Sequence, residues 1–300
     1  MTTDAPWTVK RLLEWTTDYL SKHGADSPRL DAEVLLSHAL GWPRIQLYVR
    51  YEECPPDEKR VWFREAIKER AKGRPVAYLT GEKEFFSLRF RVTPAVLIPR
   101  PETEFLVVAA LDVLRREKPS SPRILDLCTG SGAVVVAIGT QYAMAELVAT
   151  DISAAALEVA RDNAEHHGLN ERIEFREGDL WAGVAGEQFD LIVANPPYIG
   201  LRERDSLMTD VVAHEPELAL FSGDDGMACT ERIIAGAAEH LRPGGWLFIE
   251  TSPLIANALF ERIQATPMMR AIEIKKDLAG HPRILVARRD GLASAEGERT

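Results

Sequence analysis

ILDLCTGSGAVVVAI, residues 124–138, is an apolar run, a tight glycine turn and a second apolar run. The first run suits a buried strand and the second a helix. Gly130 and Gly132 let backbone come close to a ligand, and the helix N-terminus presents unpaired N–H groups there. A strand, glycine turn and helix in this order open an α/β fold. The turn lacks the lysine of a phosphate loop and is not a full G-x-G-x-x-G. Alone, it fixes architecture and no activity.

The same alternation continues downstream. Strands are predicted at 123–127, 146–150, 172–176, 189–194, 245–250, 271–276 and 282–287, and helices at 132–141, 153–167, 227–241 and 253–264. This pattern predicts a doubly wound, mostly parallel seven-stranded sheet with helices on both faces. Only Asp277 to His281 separate the last two strands. A link so short makes a hairpin, so one strand there runs antiparallel.

Upstream, residues 1–75 read as a small helical domain. Val9, Leu12, Leu13, Thr16, Tyr19 and Leu20 keep helical spacing. Ser27-Pro28 opens a second helix carrying Leu30, Val34, Leu35 and Ala39, which Gly41 ends. A third starts near Asp57 and carries Val61, Ile67 and Ala71. Residues 76–100 read as a β-hairpin linker, from the β-formers in Glu84-Phe-Phe86 and Leu88-Arg-Phe-Arg-Val92. Residues 101–289 form the main domain, opened by a helix from Pro101 with an acidic first turn and a basic last turn, both suited to the helix dipole. Residues 290–300 read as a disordered tail.

The net charge of −10 is unevenly spread. Residues 1–75 hold 13 Lys+Arg against 12 Asp+Glu, and the remainder 23 against 34. Phosphate neutralisation supplies most non-specific affinity for DNA, so an acidic main domain argues against stable nucleic-acid binding. MTTDAPW at the N-terminus has no basic region followed by an apolar stretch. No apolar run reaches membrane-spanning length, residues 133–149 coming nearest. Cys54, Cys128 and Cys229 are far apart, odd in number and without metal spacing. The expectation is a cytoplasmic monomer with no metal site and no membrane association.

Three further segments follow strands. Asp151 ends the second strand, about 20 residues beyond the glycines, where an acid accepts hydrogen bonds from both ribose hydroxyls. It suits equally the cap of the next helix. Glu177-Gly-Asp179-Leu180 follows the third strand; an acid there reads an adenine amino group or makes a plain turn. Asn195-Pro-Pro-Tyr198 follows the fourth. Its prolines offer no N–H and fix φ, so an amide side chain and free carbonyls are held stiffly at a strand end. An isolated Pro-Pro is a rigid turn. Four strand ends on one rim are more specific, because open α/β sheets bind ligands there.

The glycine loop, Asp151 and Asn195-Pro-Pro-Tyr198 together resemble class I S-adenosylmethionine-dependent methyltransferases acting on amide or amino nitrogens. Gly81-Glu-Lys-Glu-Phe-Phe86, Leu97-Ile-Pro-Arg-Pro-Glu-Thr-Glu104 and Glu215-Pro-Glu-Leu-Ala-Leu-Phe-Ser-Gly-Asp-Asp-Gly226 narrow the resemblance to the release factor glutamine methyltransferases. The resemblance implies a class I methyltransferase fold with S-adenosylmethionine as cofactor. It implies cofactor binding by Cys128, Thr129, Gly130, Ser131, Gly132, Asp151, Asp179, Leu180 and Asn195. Substrate binding would fall to Asn195, Pro196, Pro197 and Tyr198, with Asn195, Pro196 and Tyr198 catalytic. The implied substrate is the Gly-Gly-Gln glutamine of peptide chain release factors.

Two positions depart from that family. Cys128 stands where Gly is usual, which is tolerable at negative φ and unfavourable at positive φ. Glu250-Thr-Ser-Pro-Leu-Ile stands where Glu-x-Gly-x-x-Gln is common. Arg100 and Glu102 read as a lid, a link to the hairpin or a salt bridge, and His214 as a surface or packing residue. Leu180 offers an apolar wall, and Trp181 packs in the core. Three rival functions remain: methylation of a ribosomal-protein glutamine, methylation of DNA amino groups, and non-catalytic cofactor binding. The second requires a basic DNA-binding region, and none is visible.

Overall fold

The structure is a computed structural model that describes residues 6–291. The tail expected at 290–300 therefore lies outside the described residues from 292 onward. The chain divides into two compact units. One comprises the chain up to Glu82 with Met208–His214, and the other Lys83–Leu207 and everything from Glu215.

In the first unit, helices α1 (Val9–Lys22), α2 (Pro28–Leu40) and α4 (Asp57–Ala71) are joined by short helices α3 (Arg44–Val49) and α5 (Val76–Thr80). Thr8 caps α1 by accepting from Arg11 N–H, and Gly41 ends α2 in the left-handed conformation. The core includes Leu13, Leu20, Leu35, Leu36, Leu47, Phe63 and Ile67. Ile67 is buried as expected, but Val61 and Leu30 are 49% and 44% exposed and Phe63 takes the inward position. Two buried charges are paired inside this unit. Glu33 accepts from Arg29 and Arg44, each at 2.7 Å, and Arg70 meets Asp31 at 2.7 Å and Asp210 at 2.5 Å. The last contact enlists the short helix Thr209–His214. His214 is half-buried near Gly73, a packing position.

The second unit starts at Lys83, within strand β1 (Glu82–Phe85), which forms a two-stranded sheet with β2 (Leu88–Arg91). Phe86 and Ser87 between them have φ of 53° and 59°, the two positive values a tight hairpin turn demands. A 3-10 turn, Pro101–Thr103, leads into α6 (Glu104–Glu117). Then follow β3 (Arg123–Leu127), α7 (Ala133–Gln141), β4 (Glu146–Asp151), α8 (Ala154–His166), β5 (Ile173–Glu177) and β6 (Phe189–Ala194). The Thr209–His214 helix, α9, belongs to the first unit; the rest of the second is α10 (Glu217–Leu220), α11 (Ala228–His240), β7 (Leu241–Glu250), α12 (Ala256–Ala265), β8 (Met269–Lys276) and β9 (Pro282–Arg289).

The seven-stranded sheet has the order β5-β4-β3-β6-β7-β9-β8. Strands β3 to β7 pair in parallel, and β9 is antiparallel to both β7 and β8. Alternate residues of β3 serve opposite faces: Ile124 joins one apolar cluster, Leu125 and Leu127 the other. The strand order reverses at β3, so the crevice beyond the carboxyl ends of β3 and β6 is the switch point where such sheets bind ligands.

Candidate active site

At that switch point lies a cavity of about 370 Å³, within the range of small-molecule sites. Its floor is the glycine turn after β3. Cys128, Thr129, Gly130 and Ser131 line it, whereas Gly132 does not. Gly132 has φ 77°, and a Cβ there would lie 3.2 Å from that of Ala160, so it lets the turn pack on α8. Cys128 has φ 59°, the left-handed region that favours the usual glycine. Its strain belongs to the folded chain itself. The neighbouring Cys229 thiol and burial raise the Cys128 pKa, which keeps its thiol protonated.

Asp151 lines the cavity at the end of β4. Its Oδ1 accepts from Ser153 N–H and its Oδ2 from Gly130 N–H, both at 2.9 Å. The helix cap itself is Ser153, whose hydroxyl accepts from Ala156 N–H. Asp151 therefore ties the glycine turn to β4 and keeps lone pairs for a diol. Burial raises its pKa. Asp179 and Leu180 line the far wall; Asp179 is paired with Arg232 at 2.8 Å, and Leu180 is buried with φ 51°. Trp181 is half-buried, stacked on His240 with ring centroids 4.4 Å apart.

Asn195 and Pro197 reach the cavity, whereas Pro196 and Tyr198 do not line it. Asn195 Nδ2 donates to Thr103 Oγ1 at 3.1 Å. Asn195 Oδ1 is buried and has no hydrogen-bond partner. No backbone hydrogen bond among the described residues ends on the Pro196 carbonyl. The Tyr198 ring packs against the cluster behind the sheet, and its hydroxyl donates to Glu250 Oε1 at 3.1 Å. Tyr198 thereby braces the loop against the end of β7, where the buried Glu250 carboxylate accepts from its hydroxyl.

The remaining motifs support this loop. Arg100 meets Glu215 at 2.5 Å, and the same carboxylate accepts from Ile98 N–H at 3.3 Å. With the Glu215 side chain 1% exposed, Arg100 is a structural ion pair. Glu104 accepts from Phe86 N–H at 2.8 Å, joining α6 to the hairpin turn. Gly226, with φ 85°, backs the Tyr198 carbonyl so closely that a methyl group would occupy the same space. Gly226→Ala is therefore expected to displace the Asn195–Tyr198 loop. It should lower stability by about 2 kcal/mol or more and methyl transfer with it, read by denaturant midpoint and initial rate.

Sequence reading missed four contributors. Asp126, between two inward leucines of β3, is 1% exposed and lines the cavity. Burial pushes its pKa up to about 7 against hydrogen bonds from the Thr129 hydroxyl and Val135 N–H. Asn163 is buried in α8, where its side chain bonds Arg91 N–H, Arg91 O and Ser131 O, stitching the hairpin to the glycine turn. Thr103 and Glu250 were visible only as letters of longer motifs.

Residues 11–81 match the family described as PrmC N-terminal domain, and residues 106–224 the methyltransferase small domain. The release factor glutamine methyltransferase of Rhodopirellula baltica is 46% identical over 94% of this chain and 96% of its own. That of Geobacter sulfurreducens is 41% identical over 81% and 84%. Among solved structures, a methyltransferase from Pyrococcus furiosus superposes with a TM-score of 0.50 at 20% identity, over 70% of this chain and 92% of that one. That likeness bears on the fold alone.

Proposed function

We propose a reaction for a chain that belongs to the release factor glutamine methyltransferase family: methyl transfer from S-adenosylmethionine to the side-chain amide nitrogen of the Gly-Gly-Gln glutamine in a peptide chain release factor. The observation that carries it is the buried, unpartnered Oδ1 of Asn195, a residue that lines a cofactor-sized cavity.

The cavity's residues fit this cofactor by their chemistry. The turn at 128–132 offers backbone to its methionine part, and Asp151 offers acceptors to a ribose diol. Leu180 forms an apolar wall for a base. Bound there, S-adenosylmethionine supplies an electrophilic methyl group on a sulfonium. Everything else is done by the chain. An amide nitrogen is a poor nucleophile, because its lone pair is shared with the carbonyl. No base at pH 7 removes its proton. Asn195 Oδ1 and the Pro196 carbonyl instead accept its two N–H bonds, which aims the nitrogen and favours the positive charge that develops on it. Alignment with the methyl group provides the rest as proximity. The proton leaves to solvent afterwards, and no histidine is needed.

Asp126 adds a pH dependence. Free, its carboxyl is half-protonated near pH 7; a cationic cofactor favours the carboxylate. Affinity should therefore rise by about tenfold from pH 6 to pH 8, with proton release in calorimetric titrations. A flat profile would remove Asp126 from the binding site.

The deciding experiment is transfer of labelled methyl to a purified release factor, its Gly-Gly-Ala variant and DNA. Label on the tip glutamine, lost in the variant, supports the reading; label on DNA overturns it. Among the described residues, no helix is long and apolar enough to cross a membrane. A monomeric, cytoplasmic enzyme with no stable nucleic-acid binding completes the proposal, supported by the acidic balance of residues 76–300. Recognition of the release factor by the helices of residues 1–75 belongs to it too.

A further inference from the structure

Glu250 has no part in the chemistry above, yet its carboxylate is 1% exposed at the end of β7. No cation forms an ion pair with it among the described residues. Burying a charge without a counter-ion is costly, and an apolar side chain would fill the place with less penalty. Tyr198 donates to Oε1 at 3.1 Å, and the Thr103 hydroxyl neighbours the same carboxylate. Oε2 is buried without a hydrogen-bond partner and is the acceptor left for the Thr103 proton. On its other side, Thr103 Oγ1 accepts from Asn195 Nδ2 at 3.1 Å.

The direction of this chain follows from counting protons. A threonine hydroxyl has one proton to give. When it goes to the carboxylate, the oxygen shows only lone pairs to Asn195. Only the NH₂ end of the Asn195 amide can then face Thr103, so the carbonyl end must face the cavity. With no acceptor at position 250, the Thr103 proton is free to turn to Asn195 Oδ1. The amide would be equally satisfied when reversed, and would present N–H to a substrate N–H. We propose that Glu250, acting through Thr103, is the positioning residue that fixes which end of the Asn195 amide meets the substrate.

This rests on the methyl-transfer reading above, and it gives that reaction an acid limb. Burial pushes the Glu250 pKa up to about 7, against the Thr103 and Tyr198 hydroxyls and the charge of Arg283; Glu102 pushes it further up. Below that pH the carboxyl has a proton of its own to donate to Thr103, and the direction of the chain is lost. The rate should therefore rise with pH through about 7.

The test is single-turnover methyl transfer by the full chain at saturating cofactor, which removes any contribution from cofactor affinity, together with a cofactor titration of each variant. Thr103→Val should slow transfer about 100-fold, and Thr103→Ser should restore it to within about threefold. Glu250→Gln should be slowed about 30-fold or more and lose the acid limb of the parent, while cofactor affinity stays within about twofold. Parent rates in Thr103→Val or Glu250→Gln overturn the proposal. So does Thr103→Ser as slow as Thr103→Val, or an unchanged acid limb in Glu250→Gln. If the parent labels another amide-bearing protein and no release factor, the substrate reading falls, and the variants are scored on that acceptor.

Discussion

Asn195→Ala is expected to bind cofactor within about threefold of the parent and to transfer methyl about 10³-fold more slowly. In the proposed reaction the side chain offers the substrate one thing, an acceptor already stripped of water. Oδ1 has no internal partner to give up, and the Thr103 contact holds the amide from its other end. Such an acceptor strengthens its bond as charge gathers on the nitrogen, so its removal falls on the transition state more than on the ground state. Asn195→Asp separates position from polarity. The carboxylate still accepts, but it has no N–H for Thr103, and partial activity is expected. Stopped single turnovers measure the rate, and calorimetry measures the affinity. Equal losses in both would make Asn195 chiefly a cofactor ligand.

The frame of this site was legible in the sequence because buried parallel strands read as continuous apolar runs. The strands expected at 123–127 and 189–194 occur at Arg123–Leu127 and Phe189–Ala194. The short final link gave an antiparallel strand, β9. What failed to show was either very short or non-local. Helices α3 and α5 have six and five residues, too few for a periodic pattern. Strand β7 runs back to Leu241 through Arg-Pro-Gly-Gly, whose letters say turn; a register shift between Phe189 and Leu191 absorbs them. Val61 and Phe63 exchange roles because an apolar residue on a helix does not declare its face. Thr103, Asn195, Tyr198 and Glu250 acquire meaning only through each other. Their hydrogen bonds span 92 and 52 residues, and no local pattern encodes such a pairing.

Asp151→Ala is expected to fail in the opposite parameter, with cofactor affinity falling 10²- to 10³-fold while the rate at saturation stays within about fivefold. Two hydrogen bonds from a diol to a carboxylate are charge-assisted, at roughly 1.5–3 kcal/mol each. The ribose does not change as the methyl group moves. The lost binding is therefore uniform, raising KM without lowering kcat. The alanine also strands Gly130 N–H and Ser153 N–H, so the folded state should lose about 1–2 kcal/mol as well. Asp151→Asn divides these effects. One amide oxygen can still serve one of the two backbone donors, so stability should recover in part. A neutral amide is a weaker diol acceptor, so most of the affinity loss should remain. Calorimetric titration, denaturant midpoints and saturating rates read the three terms apart. A fall in the saturating rate as large as the fall in affinity would give Asp151 a different main task, that of holding the turn at 128–132 in place for the methyl group.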